Sequence, residues 1–161
     1  SDKGLKLYYQ HFFEDTSGLR FDNKSDGLWG IELSNFIKNT DILFEYLNTM
    51  NQDRDPPYVN ENYYINGEYT EGWSYKQYTL GNPFINHLEN NPLKVFHLGI
   101  SKNEDNRFNY KLLLSRKINT SDFIKYQISA NKVINQFSLG IVVSGEKSQN
   151  NTSIRFAYEL Q

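Results

Sequence analysis

Apolar and polar residues alternate along most of the chain with a period of two. In the last segment, for example, the large apolar residues Ile154, Phe156 and Tyr158 are separated by Arg155 and Ala157. Successive side chains of a β-strand point to opposite faces, so this pattern predicts strands with one apolar face. The same alternation predicts eight strands, at about 4–14, 27–37, 40–49, 94–102, 107–117, 122–132, 136–144 and 152–161.

The predicted strands are mostly about 9–11 residues long, which is the length that crosses a bilayer at a tilt near 45°. Strands of soluble proteins are usually nearer 5–6 residues. We therefore predict an all-β fold in which residues 1–161 form one region of an antiparallel transmembrane β-barrel. Alternation does not show which face is inside, and a soluble barrel or sandwich would display the same pattern. A soluble calycin-like ligand carrier is thus a distant alternative.

The segment at about 50–93 lacks clean alternation. It contains every proline of the chain, namely Pro56, Pro57, Pro83 and Pro92. Proline cannot donate to a strand ladder and is confined to edges and loops, so this segment is not expected to be a central strand. Outer-membrane barrels keep short turns on the periplasmic side. Short turns at 38–40, 103–106 and 133–135 then place 50–93 outside the cell, as one long extracellular loop that can hold a small hairpin.

The composition excludes several classes of protein. The chain has no cysteine, which excludes disulfide frameworks and thiolate metal sites. No apolar run approaches the roughly 18–20 residues of a membrane helix. The net charge of −2 gives no electrostatic reason to expect nucleic-acid binding. The mean hydropathy of −0.69 is low, but a β-barrel hides its lipid face by alternation.

Several stretches, in order along the chain, resemble the capsule-assembly Wzi family of Bacteroidetes-type outer membranes. They are residues 7–15, 26–33, 63–67, 72–76, 80–83, 97–100 and 110–115. The resemblance implies a large porin-like barrel with more than eight strands, of which this chain matches the C-terminal part. It implies that Leu5–Phe13 and Ile154–Leu160 pair with strands outside this sequence or with another chain. It also implies a role in binding or assembling capsular polysaccharide at the surface of the bacterial outer membrane.

The long loop holds the candidate binding residues. Aromatic rings stack on the C–H faces of sugars, and amide groups hydrogen-bond to hydroxyls, so a cluster of both suits a glycan. The predicted glycan-binding residues are Tyr63, Tyr64, Tyr69, Trp73, Tyr75 and Asn66. The alternative is that these aromatic residues pack the loop onto the mouth of the barrel, as any long ordered loop requires.

No catalytic constellation, cofactor site or metal site is expected. The three histidines, His11, His87 and His97, are scattered without metal-ligand spacing. On the polar face, Lys6, Lys111, Lys125 and Arg155 oppose Glu14, Glu32, Asp41, Glu45 and Glu159, which predicts cross-strand ion pairs. The expected protein is a non-enzymatic outer-membrane barrel. A porin-like channel, or a structural subunit of a larger outer-membrane complex, is the main alternative.

Overall fold

All regular structure that the described residues form is β-strand. The computed structural model describes residues 2–11, 21, 23–51, 63–64, 68–72, 74–76, 78–86, 88, 92–104, 108–118, 123–146 and 149–158. The strands are β1 Gly4–Gln10, β2 Gly27–Ile37, β3 Thr40–Asn48, β4 Ser74–Tyr75, β5 Tyr78–Thr79, β6 Asn82–Asn86, β7 Lys94–Glu104, β8 Phe108–Ile118, β9 Phe123–Ile134, β10 Phe137–Glu146 and β11 Gln149–Tyr158. Within these ranges, no helix has the length and hydropathy needed to cross a membrane.

Eight long strands form one antiparallel sheet in the order β1-β2-β3-β7-β8-β9-β10-β11, and β4-β5-β6 form a small second sheet. The prediction of an all-β, antiparallel fold is confirmed. Each long strand overlaps one of the eight predicted segments, while residues 12–14 and 159–161 of the outermost segments lie outside the described residues. The small sheet lies within the long segment, where a hairpin was expected.

The predicted turn at 133–135 needs correction. Val133 and Ile134 still belong to β9, where they pair with Ser138 and Phe137 of β10. The turn is therefore only Asn135 and Gln136. Asn135 has a φ of 55°, a left-handed conformation that asparagine tolerates better than most residues. The two β-branched and apolar residues before it consequently remain free to continue the ladder.

The strand register places the predicted apolar residues on a single face of the large sheet, which we call the apolar face. One ladder row crosses the whole sheet as Leu5, Leu33, Ile42, Ile100, Leu112, Ile128, Val143 and Thr152. None of the eight side chains in this row is buried, and each of the eight strands exposes at least one large apolar residue on this face. Leu7 is 67% exposed, Ile128 is 50% exposed and Phe156 is 81% exposed. The sheet therefore presents its apolar residues to the surroundings.

The buried core lies on the opposite side, which we call the polar face. Leu47 of β3 and Val95 of β7 pair in the ladder next to Glu45 and His97. The core is completed by the long segment and consists of Leu47, Tyr63, Ile85, Leu93 and Val95, with Leu28, Tyr64 and Phe84 packed against it. The long segment thus folds back onto the polar face at one end of the sheet, which we call the loop end.

Two tyrosine side chains each extend over a glycine on the adjacent strand and hydrogen-bond to a residue on the strand beyond it. The Tyr8 ring lies where a side chain of Gly30 would stand, and its hydroxyl donates a hydrogen bond to Glu45 on the next strand. On the apolar face, Tyr126 crosses Gly145 and donates to Asn150 Oδ1 at 2.8 Å. Because each ring fits only opposite a residue without a side chain, both crossings specify the strand register.

We expect Gly30→Ala to destabilise the sheet by roughly 1–3 kcal/mol, because the added methyl group displaces the Tyr8 ring and its bond to Glu45. The measurement is the urea midpoint of the refolded protein. Gly140→Ala is the matched control, because a side chain there would meet only Asn131 Oδ1 at 3.4 Å and two more distant atoms. Equal shifts for both variants would show that the crossing does not constrain the sheet.

The two outermost strands leave their outer edges open within the part of the chain that the structure describes. Gly4–Gln10 pairs with β2, and Gln149–Tyr158 pairs with β10. The strand order shows no pairing between β1 and β11 among these residues. The eight described strands therefore form an open sheet and not a closed ring.

Candidate functional site

A buried carboxylate organises the loop end of the sheet. Asp26 immediately precedes β2 and is completely buried. Its two carboxylate oxygens accept the backbone N–H of Asn51 at 3.0 and 2.9 Å, and Oδ1 also accepts Asn51 Nδ2 at 3.1 Å. The Tyr63 hydroxyl donates to Oδ2 at 2.9 Å. One side chain thus links the start of β2 to two parts of the long segment.

The hydrogen bonds compensate for the burial of this charge. Burial raises the pKa of the Asp26 carboxyl, while the bonds donated by Asn51 and Tyr63 act in the opposite direction. The Tyr63 hydroxyl also accepts a bond from Asn23 Nδ2 at 2.7 Å. A buried group with this many donors is costly to remove, because each donor would lose its partner.

Aromatic residues surround the backbone next to Asp26. The Tyr9 hydroxyl lies 2.8 Å from the Lys24 carbonyl oxygen and 2.9 Å from that of Asp26. The Tyr9 ring stacks on Trp29, with ring centroids 4.1 Å apart. His11 Nδ1 lies 3.0 Å from the Asp26 carbonyl oxygen. The ends of β1 and β2 are therefore fixed to the same short turn that carries the buried carboxylate.

The two ends of the long segment are held together beside this cluster. The Thr49 N–H donates to the Leu93 carbonyl at 3.0 Å, and the Leu93 N–H donates to Thr49 Oγ1 at 2.9 Å. Asn48 Nδ2 donates to the Ser25 carbonyl at 3.0 Å. Since residue 49 follows β3 and residue 93 precedes β7, these bonds close the base of the long segment.

Above this base, the long segment exposes aromatic rings. Tyr69 is 70% exposed, Tyr75 of β4 is 66% exposed and Tyr78 of β5 is 42% exposed. A turn is closed by the Gly72 N–H, which donates to the Tyr69 carbonyl at 2.8 Å. The Lys76 ammonium lies 5.4 Å from the centroid of the Tyr75 ring. Exposed rings of this kind can stack on an apolar sugar face.

The structure divides the six predicted glycan-binding residues into three groups. Tyr63 is 5% exposed and belongs to the core, and half-buried Tyr64 packs against it. Tyr69 and Tyr75 present their rings to solvent. Trp73 and Asn66 lie outside the described residues. Contact of any of these residues with a glycan stays a prediction.

Sequence reasoning missed the part played by Asp26 and Asn51. Asp26 stands next to Gly27, the first residue of β2, which has a φ of 138°. An acidic residue beside a glycine is common in exposed turns, so this signal alone does not distinguish a buried anchor from a solvated side chain. The partners of Asp26 are distant in sequence, which leaves no local pattern to find.

The polar face carries paired charges and hydrogen bonds between strands. Lys6 and Glu32 form an ion pair at 3.7 Å, and Lys125 and Glu146 form one at 3.1 Å. His97 Nδ1 lies 2.6 Å from Ser115 Oγ on the next strand. These contacts connect neighbouring strands, as the mixed charges of this face predict. Glu14 and Glu159, which belong to the same prediction, lie outside the described residues.

Comparison with known families gives a match over almost the whole chain. A family model described as "Capsule assembly protein Wzi" matches residues 2–154. No curated protein matches the chain. No solved structure matches it either. The matched range runs from before β1 into β11, so it includes the open sheet, the long segment and the Asp26 cluster.

Proposed function

The chain belongs to the capsule assembly protein Wzi family, and from this premise we propose that it is part of a non-enzymatic β-barrel of the bacterial outer membrane that binds or assembles surface polysaccharide. The observation that carries this proposal is the exposed apolar face. Monomeric soluble proteins rarely expose contiguous apolar patches larger than a few hundred Å². Here each of the eight strands exposes at least one large apolar residue on the same face, while the core lies on the other side.

Strand length supports the membrane assignment. β2, β7 and β8 have 11 residues each, and β10 and β11 have 10 each. A transmembrane strand needs about 9–11 residues. A soluble calycin-like carrier would bury the apolar face inside its barrel, and the exposure of Leu7, Ile128 and Phe156 supports the membrane alternative instead.

The open edges support a barrel of more than eight strands. A membrane does not tolerate unpaired strand edges, so we propose that β1 and β11 pair with further strands, from the same protein or from another chain. Eight strands alone would enclose a lumen only wide enough for side chains. The charged groups of the polar face, such as Lys6, Glu32, Lys125 and Glu146, would be crowded there, whereas a wider barrel keeps them hydrated.

The long segment is the proposed polysaccharide-binding part. It projects Tyr69 and Tyr75 while its base is fixed by the Asp26 cluster and by the Thr49–Leu93 bonds. Rings held on an ordered support lose little freedom on binding, which favours contact with a flexible polymer. We place this segment on the outer side of the membrane. It packs on the polar face at the loop end, and in a barrel whose lumen is lined by that face this position would narrow the mouth, which supports polysaccharide binding over an open channel.

We expect Tyr69→Ala combined with Tyr75→Ala to weaken polysaccharide binding roughly tenfold, because two stacking rings are lost. The measurement is retention of labelled surface polysaccharide by cells that carry the variant. Leu80→Ala with Leu88→Ala is the matched control, since these residues are 58% and 64% exposed on the same segment but have no ring. Unchanged retention in the tyrosine variant, with normal membrane levels, would remove both residues from the proposed binding surface.

A further inference from the structure

On three central strands, β7, β8 and β9, the apolar face carries cationic residues near its ends. The β7 residues on this face run Lys94, Phe96, Leu98, Ile100 and Lys102, so a lysine stands at each end of an apolar stretch. The next two strands each carry one cation on this face. On the loop end, Arg116 of β8 pairs with Phe96, and at the opposite end Lys132 of β9 pairs with Phe108.

The charges of the large sheet follow its two faces with one exception, Glu104, which by ladder position lies on the apolar face opposite Phe108, at the end away from the loop end. Among the long-strand acidic residues whose side chains are described, all lie on the polar face by ladder position; they are Glu32, Asp41, Glu45 and Glu146. The charged residues on the apolar face whose side chains are described are all cationic; they are Lys94, Lys102, Arg116 and Lys132. The loop end of this face is therefore complementary to negative charge, while the opposite end also carries Glu104.

The spacing of the two cationic ends matches a membrane. Lys94 and Lys102 are eight positions apart on β7, or about 26 Å along the strand. At a tilt of about 40° this distance spans roughly 20 Å of the membrane, and the flexible lysine stems extend the reach at each end. Outer-membrane barrels have an apolar band about 25 Å tall. Both ends can thus place their charges at the level of lipid headgroups.

The loop end combines its two cations with exposed apolar surface. Lys94 pairs with Ile118 and Arg116 pairs with Phe96, so Lys94 and Arg116 are diagonal neighbours on adjacent strands, with Cα atoms about 7–8 Å apart. Arg116 is exposed. Beside them, Phe96 stacks on Tyr46 with centroids 4.9 Å apart, and Ile124 is 51% exposed. Phe96 and Ile124 flank Arg116 in one ladder row, and Lys94 lies two positions nearer the loop end on β7, so a lipid that contacts this surface meets cations and apolar side chains together.

We propose that Lys94 and Arg116 bind the phosphate of a phosphorylated lipid in the outer leaflet, whose acyl chains lie against Phe96 and Ile124. This inference rests on the proposed outer-membrane location. The planar guanidinium of arginine recognises phosphate through two parallel hydrogen bonds, and the lysine ammonium adds a point charge. The source of the phosphate is a lipid, because the apolar residues beside the cations contribute only when acyl chains are attached to it.

The test uses the full-length protein extracted from outer membranes in detergent and bisphosphorylated lipid A as the probe, with binding measured by native mass spectrometry. We expect Lys94→Gln with Arg116→Gln to weaken lipid A binding roughly tenfold. Lys102→Gln with Lys132→Gln, at the other end of the same face, is the matched control and should change binding less than about twofold. Dephosphorylated lipid A should bind the wild type and the first variant equally, and inorganic phosphate should not compete.

Three outcomes would overturn the inference while the proposed function stands. They are unchanged binding by the Lys94 and Arg116 variant, an equal loss in the control variant, and full competition by inorganic phosphate. In each case the proteins must fractionate with the outer membrane and keep the shifted gel mobility of a folded barrel. Absence of the wild-type protein from the outer membrane would overturn the proposed function and this inference together.

Discussion

Replacement of Ile128 by arginine should be the most damaging single change on the apolar face. Ile128 lies near the middle of β9, between Leu112 and Val143, and is 50% exposed. If this face contacts lipid, the change places a charge near the centre of the bilayer, at a cost of about 2–4 kcal/mol. We expect a loss of that size in urea titrations of protein refolded in vesicles, with a severalfold fall in outer-membrane levels.

The neighbouring residue provides the control. Gln127 is one position away, on the polar face, where it pairs with Leu113 and Ser144. Gln127→Arg adds the same side chain to the same strand but directs it away from lipid, so we expect a change within about 1 kcal/mol. A comparable loss in both variants would mean that the two faces of β9 have similar surroundings, contrary to the membrane proposal.

Replacement of Asp26 by alanine should release the long segment from the sheet. The change leaves the buried donors of Asn51 and Tyr63 without their acceptor, which costs roughly 1–3 kcal/mol for each donor that water does not reach. We expect much faster hydrogen exchange at the Asn51 amide and faster proteolysis within residues 50–93. Both are measured on the folded protein, so the sheet need not unfold.

Two variants separate the hydrogen bonds from the packing. Tyr63→Phe removes the hydroxyl that bonds to Asp26 and Asn23 but keeps the buried ring, so its effect should be smaller than that of the Asp26 variant. Asp41→Asn is the control, because this exposed carboxylate accepts a bond from the Asn35 N–H within its own hairpin. If the Asp26 variant left exchange at Asn51 unchanged, the buried carboxylate would not be the anchor of the segment.

The long strands could be predicted because the alternation of apolar and polar residues that specifies them is visible in each strand's own sequence. Alternation is visible within a few residues, as in Ile154, Phe156 and Tyr158 of β11, and each strand repeats it. The end of β9 was harder to locate, because Val133 and Ile134 are consecutive apolar residues just before a turn. The two-residue strands β4 and β5 are too short to show any period.

The candidate site was less predictable because the residues that determine which of its side chains are buried are distant in sequence. Tyr63 and Tyr69 are the same residue type in the same segment, yet one is 5% and the other 70% exposed. The difference arises from Asp26, Leu47 and Val95, which the fold brings to Tyr63. The sequence of one segment contains no information on such contacts. Its aromatic composition therefore made the segment a candidate for glycan binding, but did not show which of its rings are exposed.

The hydrogen bonds between Thr49 and Leu93 affect how much the long segment can vary in length. They close it at its base, beside the ladder in which Asn48 pairs with Lys94. The entropy lost on closing a flexible loop grows only with the logarithm of its length, and each doubling costs about 0.6 kcal/mol. Insertions above the closed base are therefore nearly neutral for the sheet. The long segment can thus gain or lose residues without a change in the strands that support it.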